Sequence, residues 1–325
     1  MANLDYHYSC LQMAAAAGGR LDRVYELGKS LFRLRIGKGG EKFDIIARLG
    51  ERMHLTNMIP QSPESPSAFA SLLRKRLGNA RLESVQQVSF DRLVLLRFRK
   101  EQDYLLYFEM FAKGNLALCD GGGKIIAAYS RQEKGGRKIS NGGHYQLPEG
   151  RGANPFEAHG YYGAESIREK IALAPFYLDD FFQGAGGKGC IDGAEIEKYV
   201  SEKEFSVYYS HGKPAGFSCI KLNDAERALK TGFDKKEVFG GFSEALDEYY
   251  SKAEIPTMAK KTPADKKLDR LLRQKQAQQE AVAQMEAEAE RLAQCGNGIY
   301  LNYGKVRAAL EKAKAGKLRK IELEL

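Results

Sequence analysis

Cysteine and histidine are both scarce and irregularly spaced in this sequence. The five cysteines form no CxxC pair, and the five histidines show neither HxxxH nor HExxH spacing. Because such spacings bring metal ligands together, their absence excludes a zinc module and argues against a metal site; no cofactor is expected. An odd, scattered set of thiols excludes a disulfide framework and predicts reduced cysteines in a cytoplasmic protein.

Long apolar runs are also missing. No stretch of about eighteen apolar residues occurs, and no basic segment precedes an apolar run at the N-terminus. These absences predict neither a membrane span nor an export signal. The GKGG at residues 37–40 lacks the GxxxxGK[ST] spacing of a phosphate loop and lies between predicted strands, which argues against a nucleotide site there.

Charge is abundant and unequal. The net charge is +9, and from Ala259 to the end 15 Lys and Arg residues stand against 9 Asp and Glu residues. A basic balance favours a polyanionic partner, either nucleic acid or an acidic membrane surface, over a neutral metabolite. With 325 residues and 43% hydrophobic residues, the chain is long enough for two domains and an extension.

Two neighbouring apolar segments carry the most informative chemistry. VSFDRLVLLRF and DYLLYFEMFAKGNLALCD flank the charged turn RKEQ, which predicts consecutive antiparallel strands. Asp91 and Arg92 open one strand, Glu109 interrupts an apolar run, and Lys113 closes another strand. A buried charge must be paired or must serve a ligand. These residues therefore form an internal ion network or a polar binding face, unless they are an exposed turn and an edge glutamate.

Regular elements are also predicted before these segments. Asn3 can cap a first helix that the glycines at 18 and 19 end, and RLDRVYEL, SLFRLRI and FDIIARL then predict a strand meander.

A basic helix follows the meander. Ser65 and Pro66 predict its start. Its basic residues Arg74, Lys75 and Arg76 are candidate phosphate contacts or one solvated helix face, and the sequence alone leaves both readings open.

Four linked motifs carry a family resemblance. HLT, PxxPxxFAxLLRKxL, VSFDRLV and FEMFAKGN have the order and spacing of the N-terminal domain of the NFACT family, the RqcH/NEMF group of ribosome-associated quality-control factors. The resemblance covers roughly the first 130 residues. The FEMFAKGN motif is closer to the archaeal and eukaryotic branch than to the bacterial one, so an archaeal source is expected.

This resemblance implies an α+β fold in three parts. Residues 1–148 would form a β-rich domain with helices, shaped like the N-terminal domain of MutM-type DNA glycosylases. Residues 149–257 would form a helix-hairpin-helix-like domain with a β-hairpin, and residues 258–325 the start of a coiled-coil arm.

The sequence pattern of the third part also predicts a coil. Helix formers run from Thr262 to about Gln294, Lys275 and Gln278 interrupt the seam, and Gly296 to Gly298 would end the helix. No returning helix follows, so the arm is expected to be truncated. The apolar residues at a and d positions are Leu268, Leu271, Val282, Met285, Ala289 and Leu292.

The resemblance also implies a function. Family members bind large ribosomal subunits obstructed by peptidyl-tRNA and hold tRNA, typically alanyl-tRNA, while untemplated residues extend the stalled nascent chain. The expected partners are thus the large subunit, tRNA and the peptidyl-tRNA with its nascent chain, with no membrane. The protein would not be an enzyme, because the ribosome itself would join the residues.

The family's tRNA-binding residues transfer by position. Asp5 matches the acid of the first helix, Asp91 and Arg92 match an Asp-Arg pair, Glu109 matches the acid after the next strand, and Lys113 stands where the bacterial branch has arginine. Arginine can fork to a phosphate, and carboxylates can accept hydrogen bonds from base amino groups or 2′-hydroxyls. Asp5 has a second explanation, because a helix N-terminus favours an acid in any case.

Three other functions are less well supported. A MutM-type glycosylase needs an N-terminal proline amine and an adjacent glutamate, whereas Ala2 and Asn3 follow Met1 here and the zinc-finger cysteines are missing. A MutM-like DNA-binding protein without glycosylase activity stays open. A surface adhesin of the fibronectin-binding type is suggested by labels given to bacterial relatives, and the missing export signal argues against it.

Overall fold

The structure, a computed structural model, describes most of the chain and divides it into two compact units, Met1–Thr257 and Met258–Leu325. No helix among the described residues is long and apolar enough to cross a membrane. The described residues are 1–134, 136–150, 152–163, 166–185, 189–254, 278, 285, 288–289, 292–294 and 296–316.

One large antiparallel sheet dominates the first unit. Its strands are β1 (Arg20–Gly28), β2 (Leu31–Lys38), β3 (Glu41–Arg48), β4 (Arg52–Leu55), β5 (Arg81–Gln87), β6 (Leu93–Arg99), β7 (Asp103–Glu109), β8 (Asn115–Asp120) and β9 (Ile125–Ala128). The strand order is β4-β3-β2-β1-β5-β6-β7-β8-β9. The sheet curls on itself, because the hydroxyl of Tyr129, just after β9, accepts a hydrogen bond from the backbone N–H of Ser30 at 3.2 Å.

Helices and small sheets complete the fold, and the predicted α+β class is confirmed. The helices are α1 (Asn3–Met13), α2 (Ala68–Leu77), α3 (Ile167–Lys170), α4 (Pro175–Gly184), α5 (Gly193–Ser201), α6 (Ala225–Leu229), α7 (Phe242–Glu254) and α8 (Tyr303–Ala315). The remaining strands are β10 (Gln132–Lys134), β11 (Arg137–Ile139), β12 (Tyr161–Gly163), β13 (Cys190–Asp192), β14 (Lys203–Ser210), β15 (Lys213–Ile220) and β16 (Lys235–Phe239). The likeness to MutM and to a helix-hairpin-helix stays a prediction, as does the boundary between residues 148 and 149.

Helix α1 lies between two hydrophobic cores. Its residues Tyr6 and Met13 pack into the core inside the curled sheet. Its residues Leu4 and Tyr8 pack into a second core formed mainly by α4, α5, β14, β15 and α7. Residues on either side of the same helix are thus buried against different parts of the chain.

The helix starts differ from those the sequence predicts. Asn3 does not cap α1: its side-chain amide donates to the carbonyl of Phe90 at 3.0 Å, and Asp5 instead accepts from the N–H of Ala2. Helix α2 begins two residues after Pro66, because Ser67 rather than Ser65 accepts from the N–H of Ala70. In α2 the cap is the residue whose side-chain oxygen reaches a free N–H group of the first turn, whereas the N-cap of α1 is Ala2, whose side chain makes no cap.

The predicted strand VSFDRLV is a turn in its first part. Strand β5 ends at Gln87, residues 88–92 reverse the chain, and β6 begins at Leu93. The predicted meander over β1, β2 and β3 is confirmed, with Gly39 and Gly40 in the left-handed region between β2 and β3. Glycine enters that region without the clash of a side chain.

Most of the predicted coil lies outside the described residues, including Leu268, Leu271 and Val282. The predicted helix end at Gly296 to Gly298 is wrong, since residues 296–301 are helical and neither glycine has a positive φ. A glycine inside a helix costs only about 1 kcal/mol, which neighbouring helix formers can outweigh.

Candidate functional site

The tight turn between β5 and β6 presents two of the predicted site residues. Ser89 and Phe90 both have positive φ, 51° and 48°, and the N–H of Asp91 donates to the carbonyl of Val88 at 3.0 Å. This conformation is unusual for a bulky residue and persists only when the surroundings hold it. The ring of Phe90 is buried beside His7 and Phe156, with centroids 5.6 and 6.0 Å away.

Asp91 orders this turn from within. Its carboxylate is 6% exposed and accepts a hydrogen bond of 2.7 Å from the backbone N–H of Arg92. Its carbonyl accepts from the side-chain amide of Gln87 at 2.9 Å. Within the described ranges no ion pair joins the side chains of Asp91 and Arg92, so the acid holds the backbone that carries the arginine.

Arg92 points a half-buried guanidinium into a cleft of about 600 Å³. Asp5 lines the same cleft, and Leu173, Pro175 and Phe217 form apolar parts of its wall. The guanidinium makes no hydrogen bond or ion pair with any residue that the structure describes. An arginine whose five N–H donors make no hydrogen bond to the described residues, beside an apolar wall, can bind a phosphate or stack on a planar base.

Asp5 is the acid of this cleft and is held on both oxygens. Its carboxylate is 2% exposed, and its Oδ2 accepts from the N–H of Ala2 at 2.5 Å. Its Oδ1 accepts from the hydroxyl of Tyr177 at 2.7 Å. Burial, and after it the charge of Asp5, raise the pKa of Tyr177 well above its ordinary value, so Tyr177 remains the donor.

Glu109 is paired inside the protein rather than placed in the cleft. Its side chain is 1% exposed, and its Oε1 accepts from Nη2 of Arg137 at 2.5 Å and from the hydroxyl of Tyr145 at 2.8 Å. Of the two interpretations left open for a buried charge, the structure shows an ion network for Glu109. Glu109 also stands opposite Leu93 across the β6–β7 pair, and Leu93 is the residue that follows Arg92.

Lys113 is exposed on the β7–β8 turn and has no partner among the described residues. The turn packs closely against the β3–β4 turn, since an added Cβ on Gly114 would lie 2.3 Å from the backbone N of Gly50. The next residue, Glu51, accepts a hydrogen bond of 3.0 Å from the backbone N of Met1, which lines the cleft. Lys113 therefore lies at the same end of the sheet as the cleft without lining it.

The basic residues of α2 divide into two kinds. Arg74 is occupied: its Nε donates to the carbonyl of Val24 at 2.7 Å, and its guanidinium lies 5.1 Å from the ring centroid of Tyr25. Lys75 and Arg76 are exposed and free of ion pairs within the described part of the chain. Of these three residues, only Lys75 and Arg76 can therefore bind a ligand without first losing a contact within the protein.

Reasoning from the sequence missed one residue that lines the cleft, Arg168, and one buried behind it, Tyr177. Tyr177 fixes Asp5, and Arg168 adds a second guanidinium to the cleft, where it pairs with Asp179 at 2.5 Å. No sequence motif links them to Asp5 or Arg92, and the bond between Tyr177 and Asp5 joins residues 172 positions apart. Among the described residues, no group of three His, Cys, Asp or Glu side chains could hold a metal ion.

The sequence matches a family described as NFACT N-terminal and middle domains over residues 6–186. It is 25% identical over 366 aligned positions to the "Archaeal Rqc2 homolog aRqcH" of Methanocaldococcus jannaschii, covering 99% of this chain and 54% of that protein. The chain thus spans about half the length of this relative. It is also 35% identical over 139 positions to "Ribosome quality control complex subunit 2" of Schizosaccharomyces pombe, covering 38% of this chain and 14% of that protein.

Solved structures show the same fold. The N-terminal part of the fibronectin/fibrinogen-binding protein from Streptococcus suis superposes with a TM-score of 0.62 and 17% identity, covering 77% of this chain and 98% of that one. The fibrinogen-binding protein from Staphylococcus aureus gives a TM-score of 0.61 and 16% identity over the same shares. At such identities the likeness concerns the fold alone.

Proposed function

The chain belongs to the NFACT family, and we propose that it acts in ribosome-associated quality control. In this proposal the protein binds large ribosomal subunits that still carry peptidyl-tRNA and recruits tRNA of the alanine type. Untemplated residues are then added to the C-terminus of the stalled nascent chain. The relatives' names support the quality-control part, since they are called ribosome quality control subunits or Rqc2 homologues.

One observation carries the tRNA part of the proposal. Arg92, with no hydrogen bond or ion pair to the described residues, shares a cleft of about 600 Å³ with the doubly held carboxylate of Asp5. RNA is bound through phosphates, 2′-hydroxyls and splayed bases. A free guanidinium suits the phosphate or a base face, and a fixed carboxylate suits a hydroxyl or amino donor.

The other predicted site residues take supporting roles in this proposal. Asp91 and Glu109 hold the two ends of the backbone segment that carries Arg92, the first through the turn and the second through the start of β6. Lys113 at the same end, with Lys75 and Arg76 on α2, offers exposed charges that can contact phosphates.

The proposal requires no catalytic residue in this chain. The peptide bonds of the tail are made by the ribosome, so the protein contributes binding and positioning only. Its place of action is the cytoplasm, where stalled ribosomes are found. In this proposal the tRNA is held by fixed groups, namely Asp5 and the turn of Asp91, around the guanidinium of Arg92.

The test uses the full-length protein in its own cells. The wild-type protein, Arg92→Ala and the control Arg131→Ala, an exposed arginine outside the cleft, are recovered by affinity and the bound RNA is sequenced. We expect the wild type and the control to retain large-subunit RNA and one enriched tRNA family. Arg92→Ala should keep the ribosomal RNA and lose most of the tRNA.

Other outcomes reject parts of the proposal. Ribosomal RNA without tRNA from the wild type would reject tRNA recruitment and tailing. The absence of any RNA would reject quality control altogether. Equal tRNA from Arg92→Ala and the wild type would show that the cleft is not the grip.

A further inference from the structure

Three arginines form a straight row across the outer face of the main sheet. Arg20 on β1 stands directly opposite Arg81 on β5, and Arg81 stands directly opposite Arg99 on β6. Side chains that are directly opposite in an antiparallel pair project from the same face, and neighbouring strands lie about 4.8 Å apart. We call Arg20, Arg81 and Arg99 the arginine row.

The row has no evident benefit for folding. Like charges directly opposite each other in a sheet are destabilising. The side chains of Arg81 and Arg99 remain 58% and 61% exposed. Their acidic neighbours, Glu83 at 3.4 Å and Asp103 at 2.6 Å, are about half exposed themselves, and ion pairs in water contribute little.

Further basic residues extend the row on the same face. Arg23 on β1 stands opposite Arg35 on β2, and Arg97 lies two residues before Arg99 on β6. Arg23 and Arg97 are exposed and make no ion pair with the described residues. The side chain of Lys38 comes near Arg81, the middle member of the row, because its Cε and Nη2 of Arg81 both lie 3.8 Å from the Cβ position of Gly18.

Acidic residues on this face offset only part of the positive charge. Asp44 is buried and shared between Arg33 and Arg35, at 3.5 and 3.1 Å, so it does not face solvent. Asp22 occupies the irregular position between Leu21 and Arg23, where the β1–β2 register shifts. The acids Asp44, Asp22, Glu83 and Asp103 are fewer than the arginines on this face, so the face carries a net positive charge.

Tyr25 on β1 holds two arginine side chains next to the row. The ring of Tyr25 lies between two guanidinium groups, with its centroid 4.2 Å from Cζ of Arg33 and 5.1 Å from Cζ of Arg74. Such stacking holds arginine side chains in fixed positions beside the exposed row. Arg33 is itself buried and Arg74 is occupied, so the charges that this face offers to the evenly spaced phosphates of a polynucleotide are those of the exposed arginines.

We propose that the arginine row is a docking surface for the sugar–phosphate backbone of duplex RNA. That the polyanion is RNA rests on the proposed function, whereas the phosphate chemistry rests on the row itself. Each guanidinium can fork to one phosphate, and such contacts position a helix without reading its sequence. The row thus gives the protein a second grip, made of residues that do not line the cleft.

The test is binding of a fluorescein-labelled RNA hairpin of about 16 base pairs, with no ribosome present, over a range of salt concentrations. In the triple variant Arg20→Gln, Arg81→Gln, Arg99→Gln, we expect roughly tenfold weaker binding and a salt slope reduced by about 2 to 3. The variant should melt at the same or a higher temperature, because three like charges have been removed from one row.

Two further proteins make the result specific. The control Lys198→Gln, Lys213→Gln, Lys221→Gln removes the same charge from exposed lysines outside the main sheet, and its affinity should stay within about twofold of the wild type because only bulk charge has changed. The variant Glu83→Gln, Asp103→Asn keeps every arginine and should bind the hairpin more tightly.

Several results would overturn this inference. An equal loss of binding in the lysine control would show an effect of net charge alone, and a marked fall in melting temperature of the row variant would show a structural role. Equal affinity for a DNA hairpin of the same sequence would reject the assignment to RNA. The test of the arginine row is independent of the test of the cleft. Arg92→Ala should leave hairpin binding unchanged even where it abolishes tRNA recovery.

Discussion

The hydroxyl of Tyr177 on α4 donates a hydrogen bond of 2.7 Å to Oδ1 of Asp5 on α1, joining residues 172 positions apart. The same hydroxyl lies 3.1 Å from Sγ of Cys219 on β15. Because Tyr177 is completely buried, it has no alternative partner in water. The acid of the cleft is therefore fixed by the part of the chain that follows the main sheet, and its position depends on both cores being folded.

Removing this hydroxyl should loosen the cleft. In Tyr177→Phe we expect the free energy of unfolding to fall by about 1.5 to 3 kcal/mol, since a hydrogen bond to a carboxylate is lost. Urea unfolding measures the change, and recovery of tRNA should fall with it. The control is Tyr162→Phe, whose hydroxyl bonds to the carbonyl of His159 at the surface at 3.2 Å and should matter by under about 0.5 kcal/mol. Equal stability of both variants would contradict the assigned role.

The close packing of the β7–β8 turn predicts a difference between two glycines of similar φ. Gly39 (58°) faces open space, whereas a Cβ on Gly114 (67°) would lie 2.3 Å from the backbone of Gly50. Gly39→Ala should cost about 1 to 2 kcal/mol from its left-handed conformation alone. Gly114→Ala should cost at least about 2 kcal/mol more, because the neighbouring backbone must move. Similar melting temperatures for the two variants would show that the turns are not packed as described.

The ion pair of Glu109 predicts a strong effect from a residue outside the cleft. Burial tends to lower the pKa of Arg137, but its hydrogen bond to Glu109 outweighs this and raises the pKa, so the guanidinium stays charged. Arg137→Met should destabilise the fold by about 2 to 4 kcal/mol, because a buried carboxylate loses its partner. The double variant Arg137→Met, Glu109→Gln should recover most of that loss in denaturant unfolding. If the double variant were no better than the single one, the carboxylate would not be the cause.

Asp247 on α7 predicts how stability depends on pH. Its carboxylate accepts from the hydroxyl of Thr56 at 2.6 Å and the N–H of Asn57 at 2.8 Å, and lies 3.2 Å from Nε2 of His54. Burial tends to raise the pKa of Asp247, but the hydrogen bonds from His54, Thr56 and Asn57 outweigh it and lower the pKa below 3.8.

A carboxyl group with a lowered folded-state pKa stabilises the fold above its unfolded value, about 3.9, and this contribution is lost as the pH falls through the folded value. Asp247→Asn should therefore flatten the loss of stability below about pH 4. At neutral pH it should cost about 2 to 3 kcal/mol. Urea midpoints measured across this pH range check both effects, and Asp224→Asn, an exposed helix cap of α6, serves as the control. If stability fell below pH 4 as steeply in Asp247→Asn as in the wild type, Asp247 would not be the group responsible.

The sequence predicted the parts of the fold that depend on local pattern. Alternating residues and glycine turns specify β1, β2 and β3. The helix caps were missed because several candidate residues stand close together, and the spatial position of Ser67, not its residue type, decides between it and Ser65. The turn at residues 88–92 was missed because its left-handed residues, Ser89 and Phe90, are not ones that favour such turns.

The candidate site was predictable only in part. The family resemblance named Asp5 and Arg92, and the structure places both in one cleft. The sequence could not show that Asp91 accepts from the N–H of Arg92 while Glu109 pairs with Arg137. Both contacts depend on the fold, which brings the partners together. The arginine row was invisible for the same reason: Arg20, Arg81 and Arg99 become neighbours only when the register of three strands is known.

The place of α1 between two cores has a consequence for how the protein is made. Leu4 and Tyr8 are synthesised long before their partners, because their core includes Val200, to whose carbonyl the hydroxyl of Tyr8 donates, and Leu246 on α7. At a synthesis rate of about 5 to 20 residues per second, the side of α1 that carries Leu4 and Tyr8 stays without its partners for on the order of ten seconds or longer. During this time the nascent helix is an apolar surface open to chaperones. Slow translation between residues 148 and 254 would prolong that exposure and lower the yield of folded chains, although the finished protein would be unchanged.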